Sequence, residues 1–191
     1  MESYSTASHV YETDGEILLR TAEPDDAKLI SDYFIANRAF LKPWEPLRES
    51  EFFTEFGWQQ RLIKLHELHK MALGYYLLII DVKTHAMLGT ISFSNISRFP
   101  FYACNVGYSL AEQAQGRYIM SRALKMACDY MFRVQNMHRI MAAYMPRNKR
   151  SEAVLLGLGF EPEGHAKDYL LIDGKWEDHN LTSLRHPHWK M

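Results

Sequence analysis

Apolar positions along this chain recur with two periods, one close to two residues and one close to 3.6. Ile17 to Thr21 is a short apolar-rich run that predicts a strand. Pro24, Asp25 and Asp26 follow, and proline with acids suits the first turn of a helix. Ala27, Ile30 and Phe34 continue that helix with an apolar face. Leu41 to Arg48 (LKPWEPLR) holds two prolines and reads as a loop. From about Glu55 to Leu73, Trp58, Leu62 and Leu65 recur at helical spacing, and Gly74 ends the helix. Tyr75 to Asp81 (YYLLIID) is a nearly unbroken apolar strand, joined by a turn at Lys83–His85 to a second strand, Met87 to Asn95. Cys104 to Leu110 predicts a further strand, Ala111 to Gly116 a polar loop, and Tyr118 to Gln135 a long helix buried along Ile119, Ala123, Ala127 and Tyr130. Arg139 to Met145 is a strand and Asn148 to Leu158 a short helix stopped by Gly159. Two last strands, Ala166 to Ile172 and Trp176 to Arg185, meet at Asp173-Gly174. The order β-α-α-β-β-β-α-β-α-β-β predicts an α/β (α+β) domain, a mixed sheet with helices on its faces.

Composition narrows the class. At 191 residues, without repeat, low-complexity tract or linker, the chain reads as one domain with its core over about 17–185 and an N-terminal extension at 1–14. A net charge of −1 points to neither DNA nor a membrane as a direct partner. The polar start, Met1 to Thr13, lacks the basic and apolar regions of a signal peptide, and no apolar run approaches the roughly 20 residues of a membrane span. Two cysteines, Cys104 and Cys128, make no disulfide framework or zinc knuckle; a reducing cytoplasm is the expected setting. Cys104 reads as a small buried hydrophobe. His66 and His69 read as a solvated helix face, and no metal is expected.

The chemistry-bearing element is the strand, loop and helix from Asn105 to Gln135. A helix start presents unpaired N–H groups and partial positive charge, both suited to phosphate. The loop reads Gln115-Gly116-Arg117-Tyr118-Ile119-Met120, where Gly116 permits close approach and Arg117 adds a cation. Alone this is weak, because most glycines before helices only turn the chain.

Longer strings carry more. LKPWEP (Leu41–Pro46), FSNI (Phe93–Ile96), GYSL (Gly107–Leu110), MHRIMAAYMPRNKRS (Met137–Ser151), LGLGFEPEG (Leu156–Gly164) and AKDYLLIDGKWEDH (Ala166–His179) resemble the GNAT-superfamily N-acetyltransferases of the RimJ/RimL type, RimJ more closely. These modify ribosomal proteins at an N-terminal residue. The resemblance implies the GNAT fold, a mixed and mostly antiparallel sheet flanked by helices. It also implies acetyl-CoA as cosubstrate. The implied acceptor is the N-terminal alanine of a small-subunit ribosomal protein, the fifth by analogy, with the assembling small subunit as a wider partner.

Onto the family's pyrophosphate motif the resemblance places Gln115, Tyr118 and Met120. Gln115 matches; Tyr118 and Met120 depart from glycine and from glycine or alanine, which predicts a weakened or rearranged pyrophosphate site. Gly116, Arg117 and Ile119 complete that segment. The pantetheine arm would lie between strand edges at Gly107–Leu110 and Ile140–Tyr144, with Tyr108, Ser109 and Leu110 as contacts. Asn148 matches the family asparagine that holds the arm, or is a plain helix cap. Ser151 is a proton donor to the leaving thiolate, or a helix-terminal serine bonded to backbone. Asp168 aligns with a glutamate proposed as base in RimL-type enzymes, or is a surface aspartate. Glu45 and Asp178 are reserve bases that could instead bind the acceptor's positive terminus or brace their own loops. Trp44 walls the acceptor channel or joins the core. Two rival readings stand beside the leading one: a GNAT acetylating another peptide or a small amine, and a CoA-binding ribosome-assembly factor with little turnover.

Overall fold

The structure is a computed structural model and describes residues 9–191, so the expectation for Met1 to Ser8 lies outside the described residues. Eight strands form one sheet in the order β1-β2-β3-β4-β5-β6-β8-β7. They are β1 (Tyr11–Thr13), β2 (Ile17–Thr21), β3 (Tyr75–Asp81), β4 (Met87–Ser97), β5 (Ala103–Leu110), β6 (Arg139–Tyr144), β7 (Glu161–Ile172) and β8 (Lys175–Arg185). Every pairing is antiparallel except β5 with β6. That pair needs a crossover, and the long helix α4 (Ile119–Arg133) supplies it. The mixed, mostly antiparallel sheet expected from the sequence is what forms.

Helices cover both faces. α1 (Ala27–Ala36) and α3 (Glu55–Lys70) pack through Ile30, Phe34, Trp58 and Leu62 onto Leu78 and Ile80 of β3. α4 and α5 (Lys149–Gly157) cover the other face, where Ile119, Ala123, Ala127 and Leu155 meet Tyr75, Leu77 and Ile79. Successive β3 side chains thus enter opposite cores. This is why YYLLIID is apolar throughout rather than alternating.

Several boundaries differ from the sequence reading. β1 forms inside the expected extension, pairing Tyr11–Thr13 with Leu18–Arg20. β7 starts at Glu161, five residues early; it is an exposed edge strand with register breaks near Pro162–Gly164 and Ala166–Leu170, so it carries no alternating signal. The LKPWEPLR segment is less irregular than expected: a short helix α2 (Arg38–Leu41) runs into a 3₁₀ turn at Lys42–Trp44. His69 is buried, its ring near Tyr75 and His9, so that part of α3 faces the sheet instead of solvent. Burial pushes the Cys104 thiol up to about 12, which fits a packing role. Among the described residues no helix is long and apolar enough to cross a membrane.

Candidate active site

The crossover creates the site. β5 and β6 pair at Ala103–Arg139, Cys104–Ile140 and Asn105–Met141, and the ladder stops there. Beyond it the strands diverge, each held on its outer edge: β5 by β4 as far as Leu110, β6 by β8 as far as Tyr144. The inner edges of Val106–Leu110 and Ala142–Tyr144 are left facing each other across a cleft of about 720 Å³. Their N–H and C=O groups can bind an extended amide-bearing ligand as an added strand would. Gly107, Tyr108, Ser109 and Leu110 line one side, Ala143, Tyr144 and Met145 the other, and Asn148 and Ser151 the base of α5.

The start of α4 closes one end of this cleft, through Gln115 and Met120. Gly116 has φ +75°, and a side chain there would meet nothing within 4 Å. Tyr118 occupies the N-cap in the left-handed region, φ 56° and ψ 20°, and makes no side-chain cap. The first intrahelical bond at this end runs from Arg122 N–H to Tyr118 C=O, so the N–H groups of the first turn have no cap from this residue. Tyr118 is 80% exposed and does not line the cleft. Gln115 donates through Nε2 to the carbonyls of Leu110 and Ala111, which ties the end of β5 to the loop. Arg117 is exposed, Ile119 lies in the core, and Met120 is buried where it touches both core and cleft. Backbone amides, rather than side chains, are what this helix start offers an anion.

Hydroxyls converge at the middle of the cleft. Tyr108 Oη lies 2.6 Å from Ser151 Oγ. Asn148 caps α5 by accepting the Ser151 N–H at 3.2 Å, which fixes Ser151 in turn. Burial raises the Tyr108 pKa, so the phenol stays protonated. Ser109 Oγ shares hydrogen bonds of 2.9 Å with Tyr33 Oη and Thr90 Oγ1.

Glu45 is the carboxylate this arrangement holds nearest. It lines the cleft, its side chain is 19% exposed, and Arg48 Nε lies 3.8 Å from it. Burial pushes its pKa up, with Arg48 pulling the other way. Its position comes from long-range bonds: Asp173 donates its N–H to the Glu45 carbonyl, and Lys42 pairs with the Asp173 carboxylate at 2.5 Å. Arg147 adds a third tie, donating to the Pro43 carbonyl and lying 4.6 Å from the Trp44 ring centroid. Residues 42–45 are therefore strapped to the β7–β8 turn and to the segment after β6, and Trp44 lines the cleft.

Asp168 and Asp178 lie elsewhere. Asp168, at φ 45°, sits in the irregular stretch of β7 and donates its N–H to Asp178 Oδ1. Asp178 also contacts His165 Nε2 at 3.2 Å, and neither aspartate lines the cleft. Among the lining residues given no role in the sequence reading are His179 and Arg147. His179 is buried with Nδ1 against the Glu177 carbonyl, and only its place in the matching string singled it out. Among the described residues no group of three or more His, Cys, Asp or Glu side chains is placed to hold a metal.

Comparison with known proteins places this geometry. Residues 16–161 match the acetyltransferase (GNAT) domain family. The chain is 47% identical to the ribosomal protein uS5 alanine N-acetyltransferase of Escherichia coli, over 93% of this chain and 91% of that protein. A crystal structure of the ribosomal-protein-S5-alanine acetyltransferase from Vibrio fischeri is 50% identical and superposes with a TM-score of 0.92, covering 95% of this chain and all of that one (100%). Mycobacterium smegmatis RimJ, solved with a CoA disulfide, is 28% identical with a TM-score of 0.83, covering 88% of this chain and 81% of that one. A sheet splayed beside an uncapped helix start thus has its explanation: the chain belongs to the GNAT acetyltransferase family and is an N-acetyltransferase.

Proposed function

We propose that the protein transfers acetyl from acetyl-CoA to the N-terminal alanine of a small-subunit ribosomal protein, the counterpart of uS5, in the cytoplasm. The observation that carries the reading is the junction at Gly107–Ser109, where the splayed edge, the Tyr108–Ser151 hydroxyl pair and the Glu45 carboxylate meet. The extent of identity to two uS5 alanine acetyltransferases supports the choice of acceptor.

Acetyl-CoA brings a thioester whose carbonyl carbon is open to an amine. The first-turn amides of α4 and Gly116 suit its diphosphate, and the facing edges of β5 and β6 suit the amides of its pantetheine arm. Gly116 leaves the space a diphosphate needs, and Tyr118 keeps its amide available while its ring stays outside. Asn148 positions the start of α5 beside that arm.

An N-terminal amine has a pKa of roughly 7.7–8.0, so a modest base suffices to keep it neutral. Glu45 takes that role in preference to Asp168, which points its backbone into a hairpin brace with Asp178. Backbone N–H groups of the Gly107–Leu110 edge face the charge that develops on the thioester oxygen. Ser151, held by Asn148 and Tyr108, donates a proton to the departing sulfur. The proton lost by the amine to Glu45 balances the one gained by the thiol, through solvent. No covalent enzyme intermediate is needed.

The test is acetylation of peptides by the purified chain, compared with polyamines and other small amines. Transfer to alanine-initiated peptides above all other acceptors is expected. Faster turnover of a small amine would replace this acceptor, and CoA binding without transfer to any peptide would favour an assembly role.

A further inference from the structure

A second cleft, about 670 Å³, opens on the α1 and α3 face of the sheet. Its lining includes Tyr76, Thr90 and Ser92 of the sheet, and it shares Glu45, Gly107, Tyr108 and Ser109 with the first cleft. The two clefts therefore reach one short stretch of β5 from two directions. The direction past the β7–β8 turn is strapped by the bonds of Lys42, Asp173 and Arg147. The second cleft is a separate approach to Glu45.

Its charge is one-sided. Arg48, Arg61 and Lys64 line it, with Glu45 as its sole carboxylate. Among the described residues neither Arg61 nor Lys64 forms an ion pair. The contrast with other helix lysines is plain: Lys28, Lys70, Lys125 and Lys149 each pair with an acid three or four residues away. The sequence explains the difference. Four residues either side of Arg61 stand Gly57 and Leu65; around Lys64 stand Gln60 and Leu68, and Glu67 is already bonded to Lys70. The Arg61 guanidinium rests 4.9 Å from the Phe52 ring centroid and 5.8 Å from that of Trp58. Stacking of this kind holds the group in place and leaves its N–H donors for a partner.

We propose that this cleft receives the acceptor residues that follow the N-terminal alanine, and that Arg61 and Lys64 select acceptors carrying an acidic side chain within the first few residues. The proposal rests on the peptide-acceptor reading above. A carboxylate suits Arg61 because the guanidinium fork can take both its oxygens. An extended chain advances roughly 3.3–3.6 Å per residue, so the third to fifth side chains lie roughly 7–14 Å from the amine.

The test uses the full chain, acetyl-CoA and short alanine-initiated peptides with one glutamate at the third, fourth or fifth position. Matched peptides carry lysine or a neutral residue there, and kcat/KM is measured for each. At the best position glutamate is expected to exceed lysine by about tenfold, with the ratio shrinking as salt is added. The double variant Arg61→Glu, Lys64→Glu is expected to reverse the preference, and Arg61→Gln, Lys64→Gln to erase it, with CoA binding by calorimetry unchanged as the check on folding. Equal kcat/KM across the three peptide sets, or a preference that survives both variants, overturns the selection by charge and leaves the acceptor reading standing. Failure to acetylate any alanine-initiated peptide overturns the acceptor reading itself, and this inference with it.

Discussion

Replacing Glu45 by glutamine separates what the carboxylate does in the reaction from what it does in the fold. The side chain is largely buried, with Arg48 at 3.8 Å, and burial raises its pKa against the pull of that guanidinium. A carboxyl raised in the folded state binds its proton more tightly folded than unfolded. Between the unfolded pKa, about 4.3, and the raised folded value, stability therefore falls as pH rises. At neutral pH the ionised Glu45 is a net burden on folding, which glutamine removes at nearly constant shape. The thermal midpoint of Glu45→Gln at pH 7.5 is expected to equal or exceed that of the parent, with little difference near pH 4. Activity is expected to move the other way. Loss of a general base costs about 10²–10⁴ in rate, or roughly 3–5 kcal/mol of barrier. The variant's kcat/KM should then climb with pH only as the acceptor amine loses its own proton, near roughly 7.7–8.0, so the deficit narrows above that. Thiol release followed across pH 6–9, beside melting curves of both proteins, measures all of this. A drop under about threefold would refute the role, since it lies far below the range for a positioned base. A loss of activity that tracks a fall in melting temperature would refute it as well.

Three further outcomes follow from the geometry. Tyr118→Gly is expected to keep CoA affinity within about twofold, whereas Tyr118→Val, with a β-branched side chain forced to φ 56°, should lose roughly 1–2 kcal/mol of stability and weaken CoA binding in calorimetry. Ser151→Ala and Tyr108→Phe each break the 2.6 Å hydroxyl pair, and kcat is expected to fall about tenfold in each with KM for acetyl-CoA little changed. Asp26 is buried; burial works to raise its pKa, but the 2.7 Å bonds from Arg20 and the Glu23 N–H outweigh it and hold the carboxyl below its ordinary value. Asp26→Asn should therefore remove about 3 kcal/mol from unfolding at pH 7, a difference that vanishes as pH falls through the depressed folded pKa and the parent loses the same contribution.

The sequence made legible what depends on local pattern. Continuous apolar β3 and the amphipathic α4 could be read because each repeats its signal over several residues. Asn148 and Ser151 could be singled out because they stand in a long matching string, Gln115 and Met120 because they stand at a glycine-containing helix start, and all four line one cleft. β1 and the first half of β7 gave no such signal, being short or exposed on both faces. Tyr118 was the ambiguous case. A glycine in a phosphate loop serves through its φ as much as through its size, and here Tyr118 itself takes a left-handed conformation and is exposed.

The choice of carboxylate shows where local reading ends. Asp168 and Asp178 stand ten residues apart across a hairpin, where the Asp178 carboxylate accepts the Asp168 backbone N–H and contacts the His165 ring. Glu45 has one local partner, Arg48, three residues on at 3.8 Å. It is carried into the cleft by contacts with Asp173 and, through its loop, Arg147, both more than a hundred residues later in the chain. Nothing within the LKPWEPLR segment announces those contacts, because they depend on how β7 and β8 return to the sheet beside β6. The Asp178 carboxylate is taken up within its own hairpin, and neither aspartate lines the cleft. An acid that is buried, incompletely paired and delivered by a remote strap is free to exchange a proton with whatever enters beside it.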